Sequence, residues 1–280
     1  MIRDMKRILV CFVFFISFFS CSLFGFTVSL STQSLELGEP LGIRIVSETP
    51  LKQYKCVFLN KRYHLFLDQS VSNDYTYVAY IGASRKQVSG DYTLIISLES
   101  EDGHHFYEHY NVSVNHPEMK KGRVNLTTKS KSVAKNVDAR RYEYSLLSKK
   151  FNVRTNEKYF EGSFALPTYG RVSSGFGKVR HYNNGSVSSH AGVDFANSIG
   201  TVVKAPQAGK VILSESLTIH GNTIMIDHGY GIISIYCHLN KRSISEGDFV
   251  KQDQMIGEIG DTGIVSGPHL HWGLSVQNTR

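Results

Sequence analysis

The sequence predicts a mainly β protein, in which a small N-terminal β-sandwich of immunoglobulin-like type precedes a second, mostly antiparallel β domain. Short runs rich in β-branched and aromatic residues recur from Thr27 to Asn115, and turn signals such as LGEP, SND, VSGD and EDG separate them. From Phe164 onward, glycine is frequent and no alternating strand–helix pattern is found. A hydrophobic content of 41% over 280 residues is typical of a globular protein of about two domains.

The N-terminal segment predicts export. Three basic residues among the first seven precede the charge-free run ILVCFVFFISFFSCSLFGF, Ile8 to Phe26. This order is typical of a secretory signal, and the run is also long enough for an uncleaved membrane anchor. Cys21 ends a poor lipobox-like match, which makes lipidation a minor alternative. We therefore expect residues 1–26 to be a signal peptide or anchor, and the protein to lie in the periplasm or cell envelope.

Composition divides the remaining chain into three parts. We assign residues 27–116 to the sandwich, 117–160 to a basic connector and 161–280 to the second β domain. The connector holds ten Lys or Arg residues and three acidic residues between Glu118 and Lys150, a balance equal to the +7 of the whole chain. Because its first half lacks interleaved aromatic residues and the protein is exported, we interpret it as a solvated connector and expect no nucleic-acid partner.

The connector also predicts one short helix. The stretch DARRYEYSLLSKKF begins with Asp138, a candidate N-cap, and places Tyr142, Leu146 and Leu147 on one apolar face. Outside the leader only two cysteines remain, Cys56 and Cys237, so a disulfide framework is not expected.

Three segments of the second domain concentrate imidazole and carboxylate groups. They are HAGVD, IYCHL and GPHLHWG, whose polar residues are His190, Asp194, Tyr236, His238, His269 and His271. In a β-strand alternate side chains share a face, about 6.5–7 Å apart, so the two histidines of HLH can reach one site. Two imidazoles and a carboxylate make a three-ligand zinc site with an open position, which the remaining histidines can face. This arrangement suits hydrolysis, because zinc polarises a carbonyl and acidifies water while neutral histidines exchange protons.

Other hydrolytic chemistries lack their sequence patterns. The chain contains no His-Glu-x-x-His, no Gly-x-Ser-x-Gly and no glycine-rich phosphate loop. A Cys237 nucleophile is disfavoured because strand alternation points Cys237 away from the face that carries Tyr236 and His238.

From about Phe164 to Ser275, the chain resembles the lysostaphin-type (LytM, M23) zinc metallopeptidases. The matching motifs occur in the order of the family: SSGFG, HAGVDFA, GTVVKAPQAGKV, GNTIMIDHGYG, YCHL, GDFVKQDQMIGEIGDTG and SGPHLHWG. The resemblance implies that His190, Asp194 and His271 bind one Zn²⁺. It also implies that His238 and His269 flank the open position, where they activate water or stabilise the tetrahedral intermediate.

The resemblance further implies an endopeptidase that cuts peptide stems or cross-links of peptidoglycan. Two alternatives stay open. One is a non-catalytic LytM-type protein that activates a separate cell-wall amidase, although such proteins have typically lost ligands. The other is a zinc peptidase that acts on proteins. Tyr236 is expected to support the site through a hydrogen bond or through packing, and His228 to be structural. The sequence does not predict the oligomeric state.

Overall fold

The structure is a computed structural model that describes residues 21–23, 25–68 and 74–280. In this part of the chain, the N-terminal domain is a sandwich of two five-stranded sheets, ordered β1–β2–β4–β8–β7 and β3–β10–β9–β5–β6. Its strands are β1 (Cys21–Leu23), β2 (Phe26–Leu30), β3 (Ser34–Glu36), β4 (Leu41–Ser47), β5 (Leu51–Phe58), β6 (Lys61–Tyr63), β7 (Phe66–Asp68), β8 (Tyr75–Ile81), β9 (Gly90–Ser100) and β10 (His105–Asn115).

The predicted leader, residues 1–26, lies mostly outside the described residues, which exclude residues 1–20 and 24. The rest of it belongs to the first sheet, where Cys21–Leu23 pairs with Phe26–Val28. Among the described residues, no helix has both the length and the apolar character needed to cross a membrane.

The sandwich core is built from alternate residues of facing strands. Val28 and Ile45 of one sheet and Ile96 and Val112 of the other are fully buried in a single cluster, and their strand neighbours are more exposed. Burial of each such side chain contributes about 1.5–3 kcal/mol. The period-two pattern of the sequence therefore fixes which face of each strand points inward.

The connector contains one strand and two helices, which are β11 (Lys121–Val124), α1 (Thr128–Ala134) and α2 (Val137–Phe151). The predicted N-cap of the long helix is wrong by two residues. The Asn136 side chain accepts the Ala139 N–H at 2.9 Å and caps α2, so Asp138 lies in the first turn, where its charge favours the helix dipole.

The predicted apolar face of this helix is also shifted. The buried stripe of α2 is Glu143, Leu147 and Phe151, and Tyr142 is 55% exposed. Leu147 and Phe151 pack in one cluster with apolar residues of the second domain. Sequence periodicity alone disfavours a glutamate in a buried stripe, and contacts made by the Glu143 carboxylate, described below, account for it.

The C-terminal domain is built on a nine-stranded sheet in which β12–β15–β22–β19–β18–β17–β20 are successive neighbours and β16 and β21 form a side branch. A separate three-stranded sheet has the order β11–β13–β14. The strands are β12 (Arg171–Ser174), β13 (Val179–Tyr182), β14 (Val187–Ser189), β15 (Val193–Ala196), β16 (Val202–Lys204), β17 (Gly209–Leu217), β18 (Gly221–Asp227), β19 (Ile232–Arg242), β20 (Phe249–Val250), β21 (Met255–Ile259) and β22 (His269–Val276).

The two domains meet in a buried contact. The Phe66 ring of the sandwich stacks on Tyr230 with centroids 5.0 Å apart. Gln277, only 1% exposed, accepts the His64 N–H at 2.8 Å and donates to the His64 carbonyl at 2.9 Å. The end of the C-terminal domain is therefore hydrogen-bonded into the sandwich.

Candidate metal centre

Two neighbouring strands bring Asp194 and His271 together. β15 and β22 are antiparallel, and their register sets Asp194 directly opposite His271. Directly opposed residues share a face, so the carboxylate and the imidazole meet, with His271 Nδ1 2.9 Å from Asp194 Oδ1. Leu270 is fully buried on the other face, whereas His269 and His271 are both partly exposed.

The turn before β15 supplies His190. Its backbone is held in both directions, since His190 N–H donates to Lys178 O at 2.9 Å and His190 O accepts from Gly177 N–H at 2.9 Å. Close approach of this turn to β22 requires Gly192. A Cβ there would lie 2.3 Å from Trp272 O and 2.9 Å from His271 Cε1. Gly192 is therefore required because a side chain does not fit there, and not because its backbone has a positive φ.

The three side chains direct their donor atoms at one point. His190 Nε2 lies 2.9 Å from His271 Nδ1 and 3.0 Å from Asp194 Oδ1, which closes a nearly equilateral triangle. Tetrahedral ligands of zinc are about 3.3 Å from one another when each lies about 2.0–2.1 Å from the ion. This triangle is only slightly tighter. Among the described residues, these three are the group of His, Cys, Asp and Glu side chains that can hold a metal ion.

Hydrogen bonds around the triangle support the same interpretation. His190 Nδ1 is 2.9 Å from the Gly175 carbonyl, which can only accept, so Nδ1 carries the proton and Nε2 presents a lone pair to the other two donors. A lone pair facing a carboxylate oxygen at 3.0 Å calls for a cation between them. The donor set therefore fits zinc, with two imidazole nitrogens and one carboxylate oxygen.

Arg180 of β13 holds the other oxygen of the carboxylate. Its guanidinium forms an ion pair with Asp194 Oδ2, and the two side chains are 17% and 8% exposed. Asp194 Oδ1 is left for the metal position. Burial alone raises the pKa of Asp194, but its interactions with the adjacent His190 and His271 imidazoles lower it well below its usual range. The carboxyl is consequently ionised, as a metal ligand must be.

His238 and His269 lie beside the triangle. Their ring centroids are 4.9 Å apart, and the His238 ring is 6.3 Å from that of His271. Each ring is oriented by a carbonyl, since His238 Nδ1 is 2.8 Å from Thr262 O and His269 Nδ1 is 2.7 Å from Gly267 O. Both rings therefore carry their proton on Nδ1 and keep Nε2 free to accept one. Burial, with the neighbouring imidazoles His269 and His271, lowers the pKa of His238 well below its ordinary value.

The position of His238 corrects the predicted strand alternation. His238 has a left-handed backbone with φ of +64°, so it does not continue the alternation of β19. Tyr236 pairs with Trp272 and packs in the core on the other side of the sheet, where its hydroxyl is 2.9 Å from Ser234 Oγ. It makes no hydrogen bond to the candidate ligands. Its contribution is to the core.

Cys237 lies opposite His271 across the β19–β22 ladder, not away from the site as strand alternation predicted. It is fully buried in the cluster that packs under α2, and burial raises the pKa of its thiol far above the ordinary range. A thiolate nucleophile is disfavoured for this reason.

His228 is fully buried, with Nδ1 2.7 Å from Ala208 O and Nε2 2.8 Å from Ser234 Oγ. Both ring nitrogens are therefore hydrogen-bonded within the fold, which is typical of a structural histidine.

Comparison with known proteins finds a family match in the second domain. Residues 188–280, about a third of the chain, match the family described as Peptidase family M23. The C-terminal domain is called the M23 domain below. The chain is 41% identical over 103 residues to peptidoglycan DD-endopeptidase ShyC of Vibrio cholerae, and this alignment covers 36% of the chain and 24% of ShyC. It is 39% identical over 111 residues to ShyB of the same organism, over 39% of this chain and 26% of that protein.

The matched region spans about a quarter of the length of these curated relatives. The crystal structure of a candidate M23 peptidase from Pseudomonas aeruginosa covers 91% of this chain and 89% of its own, with a TM-score of 0.57 and 24% identity. At that identity the likeness concerns the fold. It includes the N-terminal sandwich as well as the M23 domain.

Sequence reasoning missed two charged residues that contact this region. Arg180 lies in β13, outside the three motifs that were singled out, and nothing in its neighbourhood marks it. Glu143 did leave a signal, because it is the acidic member of the i, i+4, i+8 series with Leu147 and Phe151.

Proposed function

We propose that this chain is an exported, zinc-dependent endopeptidase that hydrolyses peptide bonds in the stems or cross-links of bacterial peptidoglycan. One observation carries the proposal. Three donor atoms within 3.0 Å of one another converge beside two further imidazoles, each of which carries its proton on Nδ1 and presents the lone pair of Nε2. A structural zinc site is normally closed by a fourth protein ligand, whereas a hydrolytic site keeps that position open.

In this proposal His190 Nε2, Asp194 Oδ1 and His271 Nδ1 hold the ion. Zinc supplies a Lewis acid that polarises the scissile carbonyl and acidifies water. Gly175 and Arg180 contact the ligands from outside the triangle. Outer contacts of this kind hold the side chains of a site in the orientation that binding needs.

In this proposal His238 and His269 carry out the proton transfers. Because the pKa of His238 is depressed, the ring is neutral at physiological pH, and Nε2 can accept a proton from the attacking water. His269 Nε2 is 3.9 Å from Asp194 Oδ1, close enough to the ligands for its ring to face the same reacting carbonyl. We assign the pair to proton transfer and to stabilisation of the tetrahedral intermediate.

The substrate class rests on the relatives. ShyC and ShyB are named peptidoglycan DD-endopeptidases. The residues that match Peptidase family M23 include all five candidate site residues. Retention of the complete set supports an enzyme over a non-catalytic amidase activator. The basic, apolar leader supports export to the compartment where peptidoglycan lies.

Digestion of purified peptidoglycan tests the proposal, with products identified by mass spectrometry. We expect cross-linked fragments to become shorter peptides, chelator to stop the reaction and zinc to restore it. The masses of the released peptides identify the bond that was cleaved. Absence of any product from protein that holds one zinc per chain would contradict the proposal. In that case, stimulation of an added cell-wall amidase would favour the activator function.

A further inference from the structure

A buried carboxylate of the connector helix holds the turn between β17 and β18. Glu143 of α2 is 2% exposed, and its side chain accepts three hydrogen bonds from this turn. Ile219 N–H donates at 2.7 Å, His220 N–H at 3.1 Å and His220 Nδ1–H at 2.6 Å. These bonds satisfy a carboxylate that would otherwise be very costly to bury.

The backbone carbonyls of Ile219 and His220 accept hydrogen bonds from two segments of the candidate active site. His220 O accepts the backbone N–H of His238 at 2.9 Å, and Ile219 O accepts that of Ile264 at 2.9 Å. The second bond holds the loop whose Thr262 carbonyl orients the His238 ring. Glu143 thus binds the amides of a turn whose carbonyls hold His238 both directly and through its ring partner.

Two features show that this turn must be held closely. His238 has a φ of +64°, a conformation that a non-glycine residue keeps only when its surroundings impose it. At the turn, a Cβ on Gly221 would lie 2.5 Å from the backbone oxygen of Thr262, so the backbones of the turn and of the loop at Thr262 are closely packed. A small shift of the turn would therefore displace His238.

We propose that Glu143 is a positioning residue for His238, so that the connector helix is part of the catalytic unit although it lies outside the matched M23 region. The proposal rests on the proposed function of His238 in proton transfer. Glu143 contacts none of the candidate zinc ligands. Its loss should therefore affect the chemical step and leave zinc binding intact.

The test compares Glu143→Leu and Glu143→Gln with two controls on the same helix. Leu147→Ala removes apolar burial from the same stripe but no hydrogen bond to the turn. Asp138→Asn removes an exposed carboxylate from the first turn. We expect Glu143→Leu to lower kcat about 100-fold and Glu143→Gln about tenfold, with KM and zinc affinity within about twofold of the parent, because small misplacements of a catalytic group cost rates of this order.

Native-state amide hydrogen exchange supplies a readout that does not depend on catalysis. In Glu143→Leu, the amides of His238 and Ile264 should exchange at least about tenfold faster relative to the core strands. In Leu147→Ala, protection should fall throughout the M23 domain together, while kcat of the folded protein stays near the parent value. Asp138→Asn should match the parent in both measurements.

Two results would overturn the positioning role. One is a folded Glu143→Leu protein in which His238 and Ile264 remain as protected as in the parent. The other is a loss of kcat in Leu147→Ala equal to that in Glu143→Leu, since general destabilisation would then explain both. If the parent protein cleaves no peptidoglycan, the proposed function fails, but the exchange rates still decide whether Glu143 holds His238.

Discussion

At the scale of single residues, the site is defined by where protons and lone pairs are forced to lie. Carbonyl groups fix the protonated nitrogen of His190, His238 and His269, because a carbonyl can only accept. The sequence indicated these side chains in HAGVD, IYCHL and HLH, respectively. It could not reveal which nitrogen of each ring faces the site, since the carbonyl partners are either distant in the sequence or belong to a local turn.

Substitution should separate metal binding from turnover. We expect His271→Ala to lose stoichiometric zinc, because it removes one of three donors. His238→Ala should retain zinc and lose about 10²–10⁴-fold in turnover, the usual contribution of a general acid or base. Metal content and peptidoglycan digestion measured on both variants check this. Full zinc content in the His271 variant would refute the ligand assignment.

Gly192 offers a steric test of the same site. Gly192→Ala should lower the free energy of unfolding by about 1–3 kcal/mol and weaken zinc binding, because the new methyl group would overlap Trp272 O and crowd His271. Gly267→Ala is the matched control, since a Cβ there has no neighbour within 4 Å. Urea unfolding and zinc titration measure both effects. Equal stability of the two variants would contradict the close-approach argument.

At the scale of secondary structure, prediction succeeded where one periodicity governs an element. Strands of the sandwich and of the M23 domain follow period-two burial, and their existence is readable from the sequence. Two elements departed from their patterns for identifiable reasons. In β19 the left-handed residue His238 interrupts the alternation, and in α2 the hydrogen-bonded carboxylate of Glu143 occupies a position that periodicity reserves for an apolar residue.

Helix α2 is expected to be indispensable for the stability of the M23 domain. Leu147 and Phe151 cover Leu213, Met225 and other apolar residues of the central sheet. We expect Leu147→Ala to cost about 2–5 kcal/mol of unfolding free energy, as for other large-to-small changes in a core. Tyr144→Ala, at a position of the same helix that is 75% exposed, should cost far less. Comparable losses in urea unfolding of the two variants would contradict this packing.

At the scale of the whole molecule, the sandwich and the M23 domain share side-chain contacts that the sequence could not predict. Phe66 and Tyr230 are 164 residues apart in the chain, and Lys61 donates to Thr279 Oγ1 at 2.7 Å across the same boundary. Linear patterns carry no information on such distant pairs. Composition divided the chain into parts, but it did not show that the connector packs on the M23 domain.

The interdomain contact should give stability a pH dependence through Lys61. Burial, with the nearby Arg154 charge, lowers the pKa of Lys61 to about 8, whereas an unfolded lysine titrates near about 10.4. Between these values the unfolded state binds more protons, so this group makes stability rise with pH. Urea unfolding at pH 7 and pH 9.5 should show that rise reduced in Lys61→Met. Lys55→Met, an exposed lysine on β5, should keep the parent behaviour, and an unchanged rise in Lys61→Met would contradict the prediction.

The central claim is that His190, Asp194 and His271 hold one zinc ion, and X-ray absorption at the zinc edge tests it most directly. The account predicts one zinc per chain with only nitrogen and oxygen neighbours at about 2.0–2.1 Å and the outer-shell signature of imidazole. His271→Ala protein, measured alongside, should lack this signal. Sulfur scattering at about 2.3 Å, or a zinc content that the His271 substitution leaves unchanged, would contradict it.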